Sequence, residues 1–230
     1  MRFDRYLNEF SRERYGKGIT FVDIDETIFK TFAKVLVKKN GKVVRELTNT
    51  EYNSYKLKDG EEYDFHQFRS AKIFRETSIP IPKTFTRIRN MIAKIKEMDS
   101  GSKIIFLTAR ASFNDMDEFK KTFIQNGVNI DGKIVDVEMS GDEWKPGKTI
   151  DGVKKNVMLR YIKTGEFRRV RLIDDHKPNL KALKDIEKNL SKDIEDKVIN
   201  KYNLDITTEK IPPISFYTLW IDDKGDLHLI

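Results

Sequence analysis

The stretch "GITFVDIDETIF", residues 18–29, decides how the rest of the chain is read. Ile19, Thr20, Phe21 and Val22 form a short apolar, β-branched run of the kind that makes a buried strand. Asp23, Asp25 and Glu26 follow with almost no gap. Burying carboxylates is costly unless something pairs with them, so a strand that ends this way is suited to holding a cation. A second segment repeats the pattern: "RVRLIDDHKPNL", 169–180, closes an apolar run on Asp174 and Asp175. Each pair taken alone also fits a turn or a helix N-cap, both of which favour Asp.

Working outward, strands and helices alternate. "SKIIFLTA" (102–109) is a strand, "DMDEFKKTFIQNG" (115–127) a helix stopped by Gly127, and "KIVDVEM" (133–139) a strand. "VKKNVMLRYIKTG" (153–165) is a helix, "VRLID" (170–174) a strand, and "NLKALKDIEKNL" (179–190) opens another helix. The tail predicts a strand, a turn at Lys224-Gly225 and a short last strand. This order implies an α/β fold with a parallel sheet and right-handed crossovers. Ligands bind beyond the carboxyl ends of such strands, where both acidic pairs and Thr108 fall.

Only the first connection is long, roughly 75 residues from Ile28 to Gly101 against a usual crossover of about a dozen or more. Within it, Asn40-Gly41 between two short strand-like runs predicts a tight hairpin with positive φ at both turn positions. Asp59-Gly60 is a further turn, and the aromatic segment around it has no clear period. Phe85, Ile88, Met91, Ile92 and Ile95 then recur at helical spacing. The expected division is a core of residues 1–29 and 80–230, with 30–79 an inserted cap. Residues 3–15 predict a short amphipathic helix closed by Gly16.

The chain has 230 residues, 38% hydrophobic and 35% charged, with 15 Phe and 6 Pro, enough apolar material for a real core. It contains no cysteine, which excludes disulfide-linked partners and fits a reducing, cytoplasmic location. No apolar run approaches the length of a membrane span, and the charged first residues are not a secretory signal. The net charge of +7 favours anionic partners, although most lysines read as a mixed, solvated surface.

Asp23-Ile24-Asp25-Glu26-Thr27 resembles the first motif, D-x-D-x-T, of the haloacid dehalogenase superfamily. Thr108 after "IIFL" resembles the second, a lysine near the start of helix 153–165 the third, and "RLIDD" the fourth. The four occur in the family's order across residues 19–180. The resemblance implies a Rossmann-like sheet, helices on both faces and a small cap. It implies a Mg²⁺-dependent phosphatase that forms an aspartyl phosphate on Asp23, with Asp25 as general acid and base. The second aspartate points to phosphatase and phosphotransferase branches, because dehalogenating members lack it and ion-pumping ATPases carry Thr there.

By the same resemblance, Asp23, the carbonyl of Asp25, and Asp174 or Asp175 hold the metal. Thr108 and the Ala109 amide hold phosphoryl oxygens, and Thr27 and Arg110 meet the substrate. Lys154 places Val157, Met158, Tyr161 and Ile162 at its +3, +4, +7 and +8 positions and is preferred as the third-motif lysine over Lys155. Asp174 stands where many relatives have Gly, and Asn179 where they have a further Asp. The aromatic-rich region 52–74 also resembles small members encoded by tailed phages. An open site and positive charge suit a nucleotide or a nucleic-acid end, with a small phosphometabolite as the other option. Two other readings stand beside this: a non-catalytic nucleic-acid-binding or regulatory protein, and a P-loop at "GDEWKPGKT" (141–149). The P-loop needs four residues between its glycines, whereas five separate Gly141 from Gly147.

Overall fold

Residues 19–22 do form a strand, and it lies in the middle of the molecule. The computed structural model describes residues 16–145, 147–206 and 212–230; the helix expected at 3–15 lies outside them. Five strands run parallel: β1 (Gly18–Val22), β7 (Lys103–Thr108), β8 (Val135–Met139), β9 (Arg169–Asp174) and β10 (Ser215–Ile221). An antiparallel edge strand, β11 (Leu227–Leu229), completes a six-stranded sheet in the order β11-β10-β9-β1-β7-β8. Every residue of β1 and β9 is buried, as befits central strands covered on both faces.

Helices cover both faces. α4 (Pro82–Glu97) and α5 (Met116–Ile124) pack Phe85, Ile88, Phe119 and Phe123 against Val22 and Phe106. On the other face, α6 (Ile150–Ile162), α7 (Lys177–Lys188) and α8 (Lys192–Tyr202) bring Val157, Leu183, Ile186 and Val198 against Phe21 and Leu172. The structure is therefore α/β, with a mostly parallel sheet between two helical layers. Among the described residues no helix is long and apolar enough to cross a membrane.

The long first connection contains two kinds of structure. β3 (Val35–Lys39), β4 (Lys42–Leu47) and β5 (Glu61–Asp64) form a separate antiparallel sheet in the order β4-β3-β5. Asn40 and Gly41 turn its first hairpin with φ of 52° and 75°, the left-handed pair such a turn demands. One face of this small sheet packs Val35, Val37 and Leu47 on Tyr52, Tyr55, Tyr63 and Phe68. The helices α1 (Asn49–Ser54) and α2 (His66–Arg69) flank it. Next come α3 (Ala71–Thr77) and a two-residue ladder of β2 (Phe29–Lys30) with β6 (Ile79–Pro80). Ala71 and Phe74 of α3 belong to the main core, where Phe74 meets Phe29, Phe113 and Phe119 with ring centroids 5.1–5.4 Å apart. The segment 30–79 is thus not one packed unit, since 35–68 cluster among themselves and 71–77 are built into the larger body.

Helix α6 starts at Ile150, earlier than its sequence suggests, with Asp151 and Gly152 in its first turn. The Thr149 side chain accepts a hydrogen bond from the Gly152 amide and so supplies the cap that offsets those two poor helix formers. α8 was not visible as a separate helix in the sequence. Replacing Phe74 by Ala is expected to destabilise the whole fold by about 3–5 kcal/mol in urea denaturation. A loss confined to the small sheet would instead place α3 with the inserted unit.

Candidate active site

Strand register brings the two acidic pairs together. Val22 pairs with Ile173 on one side and Phe106 on the other, so Asp23, Asp174 and Thr108 emerge at the same carboxyl edge of the sheet. The Asp23 amide donates to the Ile173 carbonyl (2.9 Å) and continues the ladder to the last residue before the loop. The chain then turns sharply: the Ile28 and Phe29 amides donate to the Ile24 carbonyl (2.9 and 3.0 Å), and Glu26 sits at φ 58°. A left-handed non-glycine residue inside a site loop is local strain of the kind that functional loops carry.

Into this edge α6 projects Lys154. Its Nζ donates to Asp23 Oδ1 (2.6 Å) and Asp174 Oδ2 (3.0 Å), and the side chain is 2% exposed. Lys155, the alternative, is partly buried, and it is Lys154 that reaches Asp23 and Asp174. Asp174 is fully buried and further held by the His176 amide (2.8 Å) and by Asn179 Nδ2, at 3.0 and 2.9 Å from its two oxygens. The His176 ring is exposed, so its contribution is the amide. Asp175 is less buried; its Oδ1 accepts from Thr27 Oγ1 (3.2 Å), and its carbonyl accepts from Trp220 Nε1 (2.8 Å).

Carboxylate oxygens of Asp23, Asp174 and Asp175 lie within 4.8 Å of one another, close enough to hold a metal ion. With all three carboxyls ionised, one ammonium leaves two negative charges uncompensated in a largely buried space. That excess, and an all-oxygen donor set, fit a hard divalent cation. Burial pushes the Asp23 carboxyl well above its usual range; Lys154 opposes this while Asp174 and Asp175 add to it. Burial and the neighbouring Asp174 likewise raise Asp175 to about 6. Lys154 stays protonated, because Asp174 and Asp23 outweigh the effect of its burial.

Asp25 occupies a second, separate charge pair. Its carboxylate accepts from Arg110 Nε (3.1 and 3.0 Å) and Nη2 (2.6 Å), and from Thr108 Oγ1 (3.3 Å). Burial alone would push its pKa up, and the Arg110 charge and hydrogen bonds reverse that, holding it below the usual carboxylate range. Arg110, expected at the substrate, is 4% exposed, and its remaining Nη1 donates to the Phe68 carbonyl (3.1 Å). Thr27, also expected there, is fully buried and points at Asp175. Both residues support the acids rather than face solvent. Ala109 is exposed immediately beyond Thr108.

Residues 140–142, at the start of the glycine-containing segment, have a structural role at this edge. Ser140 Oγ donates to the Thr108 carbonyl (2.8 Å), the Gly141 amide to the Arg110 carbonyl (3.1 Å), and the Ser112 amide to Asp142 Oδ1 (2.9 Å). A side chain at Gly141 would collide with the backbone of 109–111, so only glycine permits this approach. Sequence reasoning missed these supports, together with Asn179 and Trp220. Asn179 alone carried a signal, standing where the resembled motif has an acid.

Comparison of the chain with protein-family models and with curated proteins returned no match. Metal ligands must be ionised, so protons compete for the raised Asp175 and Asp23 carboxyls as the pH falls. Lowering the pH from about 7.5 to about 5 is expected to weaken divalent-cation binding at these carboxylates by about tenfold or more in calorimetry. Affinity independent of pH would mean that these carboxyls are not the ligands.

Proposed function

We propose that this chain is a Mg²⁺-dependent phosphomonoester hydrolase of haloacid dehalogenase type, working through an aspartyl phosphate on Asp23. The observation that carries the reading is the convergence of four separate segments. Asp23, Thr108, Lys154 and the Asp174–Asp175 pair meet at one sheet edge, with Lys154 Nζ 2.6 Å from Asp23.

In this reading Asp23 attacks phosphorus as the bond to the leaving oxygen breaks, and that oxygen keeps the electron pair and takes a proton from Asp25. A water then attacks the same phosphorus, Asp25 takes the water's proton, and the bond to Asp23 breaks to return its carboxylate and free phosphate. Set against burial, the Arg110 charge and hydrogen bonds favour the ionised form of Asp25. A phosphate dianion beside it works against Arg110 and favours the protonated form that the first step needs. Lys154 neutralises charge that grows on the phosphoryl oxygens, and Thr108 helps to fix them. Asp23, Asp174 and Asp175 would hold Mg²⁺, which supplies charge neutralisation so that a carboxylate and a phosphate dianion can approach.

In the same proposal residues 30–79 contain a cap over a rather open site, and the substrate is a nucleotide or a nucleic-acid end. The net charge of +7 supports an extended anion over a small metabolite. The same charge also suits a nucleic-acid-binding protein without turnover, which predicts steeply salt-dependent binding and no phosphate release. A panel of sugar phosphates, nucleoside monophosphates and oligonucleotides phosphorylated at either end separates the two. Phosphate release is expected only with Mg²⁺, and Asp23→Asn is expected to lower it by at least about 10³-fold. A fully active Asp23→Asn protein would sink the proposal.

A further inference from the structure

Arg110 joins two parts of the molecule that chemistry alone would not connect. Its guanidinium forks onto both oxygens of Asp25, at 2.6–3.1 Å, and its Nη1 reaches back to the Phe68 carbonyl at 3.1 Å. The group is also walled by rings: its central carbon lies 4.7 Å from the Phe68 centroid, 5.2 Å from Phe74 and 5.6 Å from Phe113. Phe68 belongs to α2 and packs with the small inserted sheet, whereas Phe74 and Phe113 belong to the main core. Three walls and three hydrogen-bonding directions leave the guanidinium one orientation. The carboxylate it holds therefore has one as well.

We propose that Arg110 is a positioning residue that makes the placement of Asp25 depend on the seating of the inserted unit. This rests on the phosphatase reading above. Among the contacts described for this guanidinium, Phe68 is the one that belongs to the inserted unit, so a shift of α2 is transmitted through Arg110 to the carboxylate. Bidentate Arg–carboxylate pairs fix plane and direction together, which a lysine at the same place cannot do. A misplaced Asp25 handicaps the two steps unequally when the leaving group is a phenolate. That group departs without a proton, so formation of the aspartyl phosphate proceeds, while the later water attack still needs Asp25 as base.

Stopped-flow hydrolysis of p-nitrophenyl phosphate with Mg²⁺ tests this on wild type, Asp23→Asn, Arg110→Lys and Phe68→Leu, each first checked by circular dichroism. Arg110→Lys is expected to keep a p-nitrophenolate burst within about threefold of the wild-type rate and to lose about 10²-fold in the steady state. Phe68→Leu keeps most of the packing volume and is expected to show the same split with about a fivefold steady-state loss. If Arg110→Lys does not fold, Phe68→Leu carries the test alone. A burst that falls in proportion to the steady state, or no change in either, would overturn the coupling. Asp23→Asn separates the two claims: its full activity would refute the phosphatase reading, whereas its inactivity beside an unsplit Arg110→Lys refutes only the relay.

Discussion

A buried ammonium between two buried carboxylates is the constraint around which the molecule is arranged. Removing such charges from water costs several kcal/mol per ion, and attraction repays this only with good geometry and further hydrogen bonds. Lys154 has both, at 2.6 Å from Asp23 and 3.0 Å from Asp174. Asp174 in turn is saturated by an amide and an asparagine donated by the first turn of α7. Meeting those conditions fixes the register of β1 against β9 and the depth at which α6 enters. A one-residue slip in β1 would turn Asp23 toward the opposite layer of the sheet.

The site is divided electrically. Asp23, Asp174, Asp175 and Lys154 carry a net negative charge that invites a divalent cation, whereas Asp25 and Arg110 form a pair that is neutral as a unit. Thr108 stands between, donating to Asp25 while its own oxygen receives the Arg110 amide at 3.1 Å. This separation gives neighbouring aspartates opposite tendencies: burial raises Asp23, and Arg110 lowers Asp25.

Much of this is legible in the sequence itself. The apolar runs ending in Asp23-Ile24-Asp25 and Asp174-Asp175 marked the strands and the edge, and the period of Phe85, Ile88, Met91 and Ile95 marked a buried face. Asn40-Gly41 specified its turn outright, since two positive φ angles admit few other dipeptides. The side-chain supports were not legible, because each depends on a distant segment. Arg110 follows Thr108 closely and invited a substrate contact, but Asp25, Phe68 and Phe113 enclose it from three directions. Phe74 lay in an aromatic stretch without period, and a four-residue and a seven-residue helix leave too few turns for a pattern. Asp151-Gly152 misled for a local reason, because a single threonine cap outweighed two unfavourable propensities.

The central claim is that the carboxylate gripped by Lys154 becomes covalently phosphorylated. Rapid acid quench during turnover, followed by borohydride reduction and peptide mass mapping, tests it directly, since reduction converts a phosphorylated aspartate to homoserine. The account predicts homoserine at position 23, dependent on Mg²⁺ and on substrate. Phosphate release with an unmodified Asp23, or modification at another aspartate, would contradict it.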